Sequence, residues 1–147
     1  MKFKSLLFLA VIFTLFSFTS SKSKSKLNGT WKLISQELVR NGKTRVSILD
    51  NANGTQLKTW SDEYFMFIGS VVGANQTQYN FGGGTYDLKG NVYTENVQYH
   101  NVASFRGRTV QQILEIKGDT LYQIFTFGKV ENYDKNNCNI EKYIRVD

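Results

Sequence analysis

A single histidine, His100, and a single cysteine, Cys138, set the limits of the chemistry open to this 147-residue chain. A Ser-His-Asp triad would have to use His100. The stretch Gly69-Ser70-Val71-Val72-Gly73 lacks the G-x-S-x-G spacing that lifts a serine onto a nucleophile elbow, so serine hydrolysis is not expected. Cys138 lies in Asn-rich sequence with no helix N-terminus beside it to lower a thiol pKa, which argues against a thiolate nucleophile. One His and one Cys cannot build a zinc site of ordinary ligand count without several carboxylates, and these fall at no recognisable spacing. A haem needs one proximal His, but His100 next to Asn101 reads more simply as a surface or strand-end residue. No cofactor is expected.

The more informative group is Glu95. On a strand from 92 to 100, two-residue alternation puts Tyr93, Glu95, Val97 and Tyr99 on one face and Val92, Thr94, Asn96, Gln98 and His100 on the other. The first face is the more apolar. If it points inward, Glu95 is a buried carboxylate that must be paired or protonated, because a lone buried charge is prohibitively costly. Arg106, Arg108, Lys142 and Arg145 are candidate partners, with the hydroxyls of Tyr79 and Tyr86 as further donors. Three roles stay open for it: a pairing that fixes register, ligand recognition, or general acid catalysis with a second carboxylate from Glu63, Glu115 or Glu141. After residue 26 the chain holds two Trp, eight Tyr and six Phe, more than closing a barrel floor requires. Tyr79, Tyr86, Tyr93, Glu95 and Tyr99 are therefore the candidate ligand-binding residues of an aromatic cavity suited to a small hydrophobic or amphipathic molecule. The alternative is an interior filled by these side chains.

These residues must be positioned by strands. From Leu27 onward, short apolar or alternating runs are punctuated by Gly, Asn and Asp about every 8 to 12 residues, the rhythm of an all-β sandwich or barrel. The expected segments are 30–39, 43–49, 55–60, 64–72, 77–81, 85–88, 92–100, 108–116, 120–127 and 140–146. Asn41-Gly42, Lys89-Gly90-Asn91 and Lys117-Gly118-Asp119 suit tight hairpin turns, so neighbours should pair antiparallel. Gly69, Gly73 and Gly82-Gly83-Gly84 fit a barrel, because glycines let strands bend at its corners or approach each other closely; the plainer reading of the triple glycine is a turn, and a phosphate cradle is not expected since no helix follows it. The stretch 128–139 reads as the one long loop. A single antiparallel up-and-down barrel of eight to ten strands is the expected fold, because closure removes exposed edges.

The opening residues carry an address. Two Lys, an apolar run of about 13 residues from Leu6 to Phe18, and then Thr19, Ser20 and Ser21 follow the order of a secretory signal, and the run is short of a membrane span. Residues 1–21 are expected to be a signal peptide cleaved near residues 20–21, 22–26 a Lys/Ser tether and 27–147 the barrel, secreted or periplasmic. An uncleaved membrane anchor is the alternative. With cleavage no transmembrane span remains. Five of the 18 Lys and Arg lie within the first 26 residues and all 12 Asp and Glu lie beyond, so the body carries 13 − 12 = +1. Nucleic-acid binding, which needs a basic face on the folded domain, is not expected. One cysteine excludes an intramolecular disulfide framework, so the core must hold the fold.

Asn28-Gly29-Thr30-Trp31-Lys32-Leu33, together with Tyr143-Ile144-Arg145 near the other end, resembles the G-x-W opening and final strand of the calycin superfamily, which includes lipocalins and fatty-acid-binding proteins. The resemblance implies that Trp31 closes the barrel floor and that Arg145 lies across it. Trp60 to Met66, Phe81 to Tyr86, Tyr93-Thr94-Glu95 and Gly118 to Tyr122 extend the likeness to a small secreted bacterial lipocalin-like family of unknown function. The fatty-acid clamp is missing: with Tyr143 matched to its Tyr, the Arg position holds Glu141. The expected function is non-catalytic binding of a small, partly apolar or aromatic ligand. The alternatives are an envelope structural or interaction module, its barrel filled, that contacts a protein or glycan through its outer face or the loop at 128–139, and a carboxylate-based enzyme using Glu95.

Overall fold

The computed structural model describes residues 26–147. The expected signal segment and residues 22–25 of the tether lie outside the described residues. Nine strands follow: β1 (Gly29–Arg40), β2 (Lys43–Leu49), β3 (Gly54–Trp60), β4 (Tyr64–Val72), β5 (Thr77–Lys89), β6 (Val92–His100), β7 (Thr109–Lys117), β8 (Thr120–Thr126) and β9 (Cys138–Arg145). The only helical pieces among the described residues are single 3-10 turns at Ala103–Phe105 and Val130–Asn132. Neighbouring strands are antiparallel, and β1 pairs with β9. Eight strands therefore close into a barrel, and β2 is the additional one. β1 takes two neighbours in succession on its other side: Gly29 to Lys32 pair with β3, and Ser35 to Arg40 with β2.

The triple glycine is not a turn. The segments expected at 77–81 and 85–88 are a single strand, β5, that runs through Gly82, Gly83 and Gly84. What overrides the turn preference of glycine is lack of space. All three are buried, and a Cβ on Gly84 would fall on the Asn96 carbonyl oxygen of β6, while one on Gly83 would lie 2.8 Å from that of Phe65 in β4. Here the backbone of β5 approaches its neighbours more closely than any side chain permits. The pairing also slips at this point, with Gly83 opposite Tyr99 and Gly84 opposite Val97, so Gln98 is an extra residue in β6. Gly84→Ala is expected to cost about 1–3 kcal/mol through forced backbone movement. At Gly128 an added methyl meets nothing within 4 Å, and Gly128→Ala should stay within about 0.5 kcal/mol. Urea unfolding of the two variants checks the contrast.

Side chains pointing into the barrel at one end make the main core, with Trp31, Trp60, Phe65, Tyr93, Leu121 and Tyr143 buried together. A second cluster, Val39, Ile113, Ile124 and Cys138, lies by strand alternation on the outer surface, where the segment after β8 covers it with Val130 and Tyr133. The tip of the β1–β2 hairpin is tied to that cover, the Gly42 N–H donating to the Asn136 carbonyl at 3.0 Å. Cys138 is a free, buried thiol.

Candidate functional site

The closed end explains why glycine and tryptophan open the first strand. Gly29 has a φ of +124°, and a Cβ there would collide with Nη1 of Arg145. The bare backbone lets the guanidinium settle 4.4 Å over the Trp31 ring. Its nitrogens donate to the carbonyls of Asn28 and Lys26 at 2.6 Å each, and the Trp31 Nε1–H donates to the Leu27 carbonyl at 2.9 Å. Behind this cap, Trp60 Nε1–H donates to the Tyr93 hydroxyl at 2.8 Å, so the indoles of both tryptophans are satisfied although buried.

Towards the other end the interior is open. A cavity of about 390 Å³ has Phe67, Val71, Val97, Val110 and Phe125 in its walls, with Gln56, Lys58, Glu95, Gln112 and Glu141 as its polar side. Tyr79, His100 and Phe105 also border it. Each polar residue is placed by strand alternation. Gln56 and Lys58 precede Trp60 by four and two residues in β3, Glu95 follows Tyr93 by two in β6, Gln112 precedes Leu114 by two in β7, and Glu141 precedes Tyr143 by two in β9.

Lys58 is the partner of Glu95. Its Nζ lies 2.6 Å from Glu95 Oε1 and donates to Gln123 Oε1 at 3.1 Å, with the rings of Trp60 and Phe65 about it at 5.0 and 5.1 Å. The cations expected at this position are elsewhere: Lys142 pairs with Glu37 at 2.6 Å, Arg106 donates to the His100 carbonyl at 2.7 Å, Arg145 caps Trp31, and Arg108 is exposed. Lys58 escaped notice because Gly-Thr-Gln-Leu-Lys-Thr-Trp reads as a polar, solvated strand. The available signal was Trp60: once it points inward, Lys58 must as well.

Glu141 is the second carboxylate of this interior. Its Oε1 accepts from Gln36 Nε2 at 3.0 Å and its Oε2 from the Tyr143 hydroxyl at 2.6 Å, and that hydroxyl in turn accepts from Gln56 Nε2 at 2.7 Å. Burial pushes the Glu141 carboxyl above the usual carboxylate range, and the Glu95 charge adds to this, against the opposing effects of Lys58 and of the bonds from Tyr143 and Gln36. The Tyr143 and Tyr93 hydroxyls are also pushed up, by burial first and by the neighbouring glutamates second, so both stay protonated donors. Gln123 Nε2 donates to Gln112 Oε1, and Gln112 Nε2 has no partner although the residue is fully buried.

The candidate ligand-binding residues do not all meet here. Glu95 and Tyr79 border the cavity, Tyr79 with 74% of its surface exposed. Tyr93 is in the core beneath, and Tyr86 packs on it at 5.4 Å between ring centres while its hydroxyl donates to the Ser61 carbonyl. Tyr99 is 69% exposed, on the outside of the barrel. The extra residue in β6 reverses the alternation beyond Val97, turning Tyr99 out and bringing His100 to the cavity in its place. His100 stacks on Phe105 at 4.7 Å, and its Nδ1 accepts from the Val102 N–H at 2.9 Å. Burial holds its pKa below the usual histidine value. Among the described residues no group of three or more His, Cys, Asp or Glu is placed to hold a metal ion. No protein-family model and no curated protein matches the chain.

Proposed function

We propose that this protein is an exported, lipocalin-like barrel that binds a small, partly apolar or aromatic molecule in its interior and releases it unchanged. One observation carries the reading: a barrel capped at one end by Trp31 and Arg145 holds an open cavity of about 390 Å³, apolar in its walls and polar on one side. That size and lining are those of small-molecule sites. Export rests on the order of charged, apolar and small residues in positions 1–21. The absence of catalysis rests on how the carboxylates are engaged, Glu95 with Lys58 and Gln123 and both oxygens of Glu141 with Gln36 and Tyr143.

The neutral dye Nile red is expected to bind saturably at one site per chain. Val110→Trp, which fills the cavity from its wall, should weaken that binding by at least about tenfold without unfolding the protein. Fluorescence titration of the two proteins reads this. A second reading, contact with another envelope protein, is favoured by Met66, Ile68, Phe81 and Tyr99, exposed on neighbouring outer positions of β4, β5 and β6. It would stand alone if the unaltered protein bound no probe saturably.

A further inference from the structure

From Gln112 we infer that the ligand, on the binding reading above, is an uncharged molecule carrying a carbonyl-type oxygen on an apolar ring system, and that this oxygen accepts from the Gln112 side-chain amide. The orientation of that amide follows from Lys58. An ammonium only donates, so Gln123 must turn its carbonyl oxygen to Lys58 Nζ, 3.1 Å away. Its NH₂ is then left for the Gln112 carbonyl and for Glu95 Oε1. Gln112 consequently ends the chain with its own NH₂, a donor without an acceptor.

A buried donor left unmet costs free energy that a ligand acceptor recovers. The positive charge at the head of the chain polarises each amide in turn, which makes the last N–H a stronger donor. Asn80 Oδ1 is likewise unpartnered, but it lies over Gly69 of β4, where a Cβ would come within 2.8 Å of it, and it is turned to the neighbouring strand.

Charge sets the rest of the class. One lysine faces two glutamates in this interior, and Lys58 is already committed to Glu95. A ligand carboxylate would add a third carboxyl group, with Lys58 already committed. An ammonium would present donors to Gln112, itself a donor. A neutral ketone, amide, lactone or quinone oxygen meets the amide without either conflict, and Phe67, Val97 and Phe125 are placed to contact an apolar ring.

Four probes of one shape test this with the full chain: naphthalene, 2-acetylnaphthalene, 2-naphthoate and 2-naphthylmethylammonium. The acetyl compound is expected to bind about five- to tenfold more tightly than naphthalene, the worth of one net hydrogen bond, and more tightly than either charged probe. Gln112→Leu, which has no N–H to offer, should remove that advantage. The carbonyl stretch of the bound acetyl group should lie at lower wavenumber than in hexane, an observation on the unaltered protein that holds even if a variant fails to fold. Naphthalene binding without carbonyl preference, a carbonyl stretch left at its hexane position, an undiminished preference in a folded Gln112 variant, or tightest binding of a charged probe overturns this inference alone. Saturable binding of none of the four overturns the ligand-binding reading with it.

Discussion

Replacing Lys58 with Met is expected to remove about 3–5 kcal/mol of stability at pH 7, the usual loss when one partner of a buried ion pair is taken away. Met keeps much of the length of the side chain, so the loss reports the stranded Glu95 charge rather than an emptied space. For a single domain whose total stability is about 5–15 kcal/mol, that is a large share. Urea unfolding of both proteins at pH 7 measures the difference, and a loss under about 1 kcal/mol would mean that Glu95 does not depend on Lys58. A pH dependence is expected of the unaltered protein from Glu141: burial raises its pKa, so the stability it contributes is present below the ordinary glutamate range and is lost as pH rises through its elevated value.

Trp31→Ala is expected to cost about 3–5 kcal/mol, as large aromatic deletions from a core do. Trp31 is among the most completely buried side chains and closes the barrel where β1 and β9 meet. Arg145→Ala should cost less, because the guanidinium is partly solvated, but the two losses should not add. With the guanidinium 4.4 Å above the indole, the double variant is expected to recover at least about 0.5 kcal/mol relative to the sum. Chemical denaturation of the four proteins in the cycle gives the coupling. Strict additivity would show that Arg145 stabilises the end of the barrel only through the carbonyls of Lys26 and Asn28.

The fold was legible because strands such as β1, β3 and β6 bury every second residue over much of their length and short glycine turns interrupt the runs. Alternation correctly turned Tyr93, Glu95 and Val97 inward, and it failed at Tyr99. One extra residue in β6 reverses the pattern, and it falls where the glycines of β5 press against β6, a contact between strands that no local window contains. The same nonlocal contact decides between the two readings of Gly82-Gly83-Gly84, close approach of strands rather than a turn. The cavity was half legible. Glu95 stood out as a charge among aromatics, whereas Lys58 and Gln112 each sit in strands rich in Thr and Gln, where a polar residue reads as solvated. Only the closed barrel, by bringing β3, β6, β7, β8 and β9 around one axis, turns those scattered polar residues into a single network.

Among the nine strands, β2 alone has a hydrogen-bonded neighbour on one side only. Its outer edge is a template on which another extended chain could crystallise, residue by residue, and a second copy of β2 is the most available such chain in a concentrated solution. Lys43 and Arg45 stand exposed on that edge, so two copies approaching edge to edge bring like charges together. Repulsion of this kind is screened over about 8 Å at physiological ionic strength and over about 3 Å in molar salt. Salt therefore weakens this guard, and the pairing of one β2 edge with another is expected to rise with ionic strength even while the barrel itself stays folded.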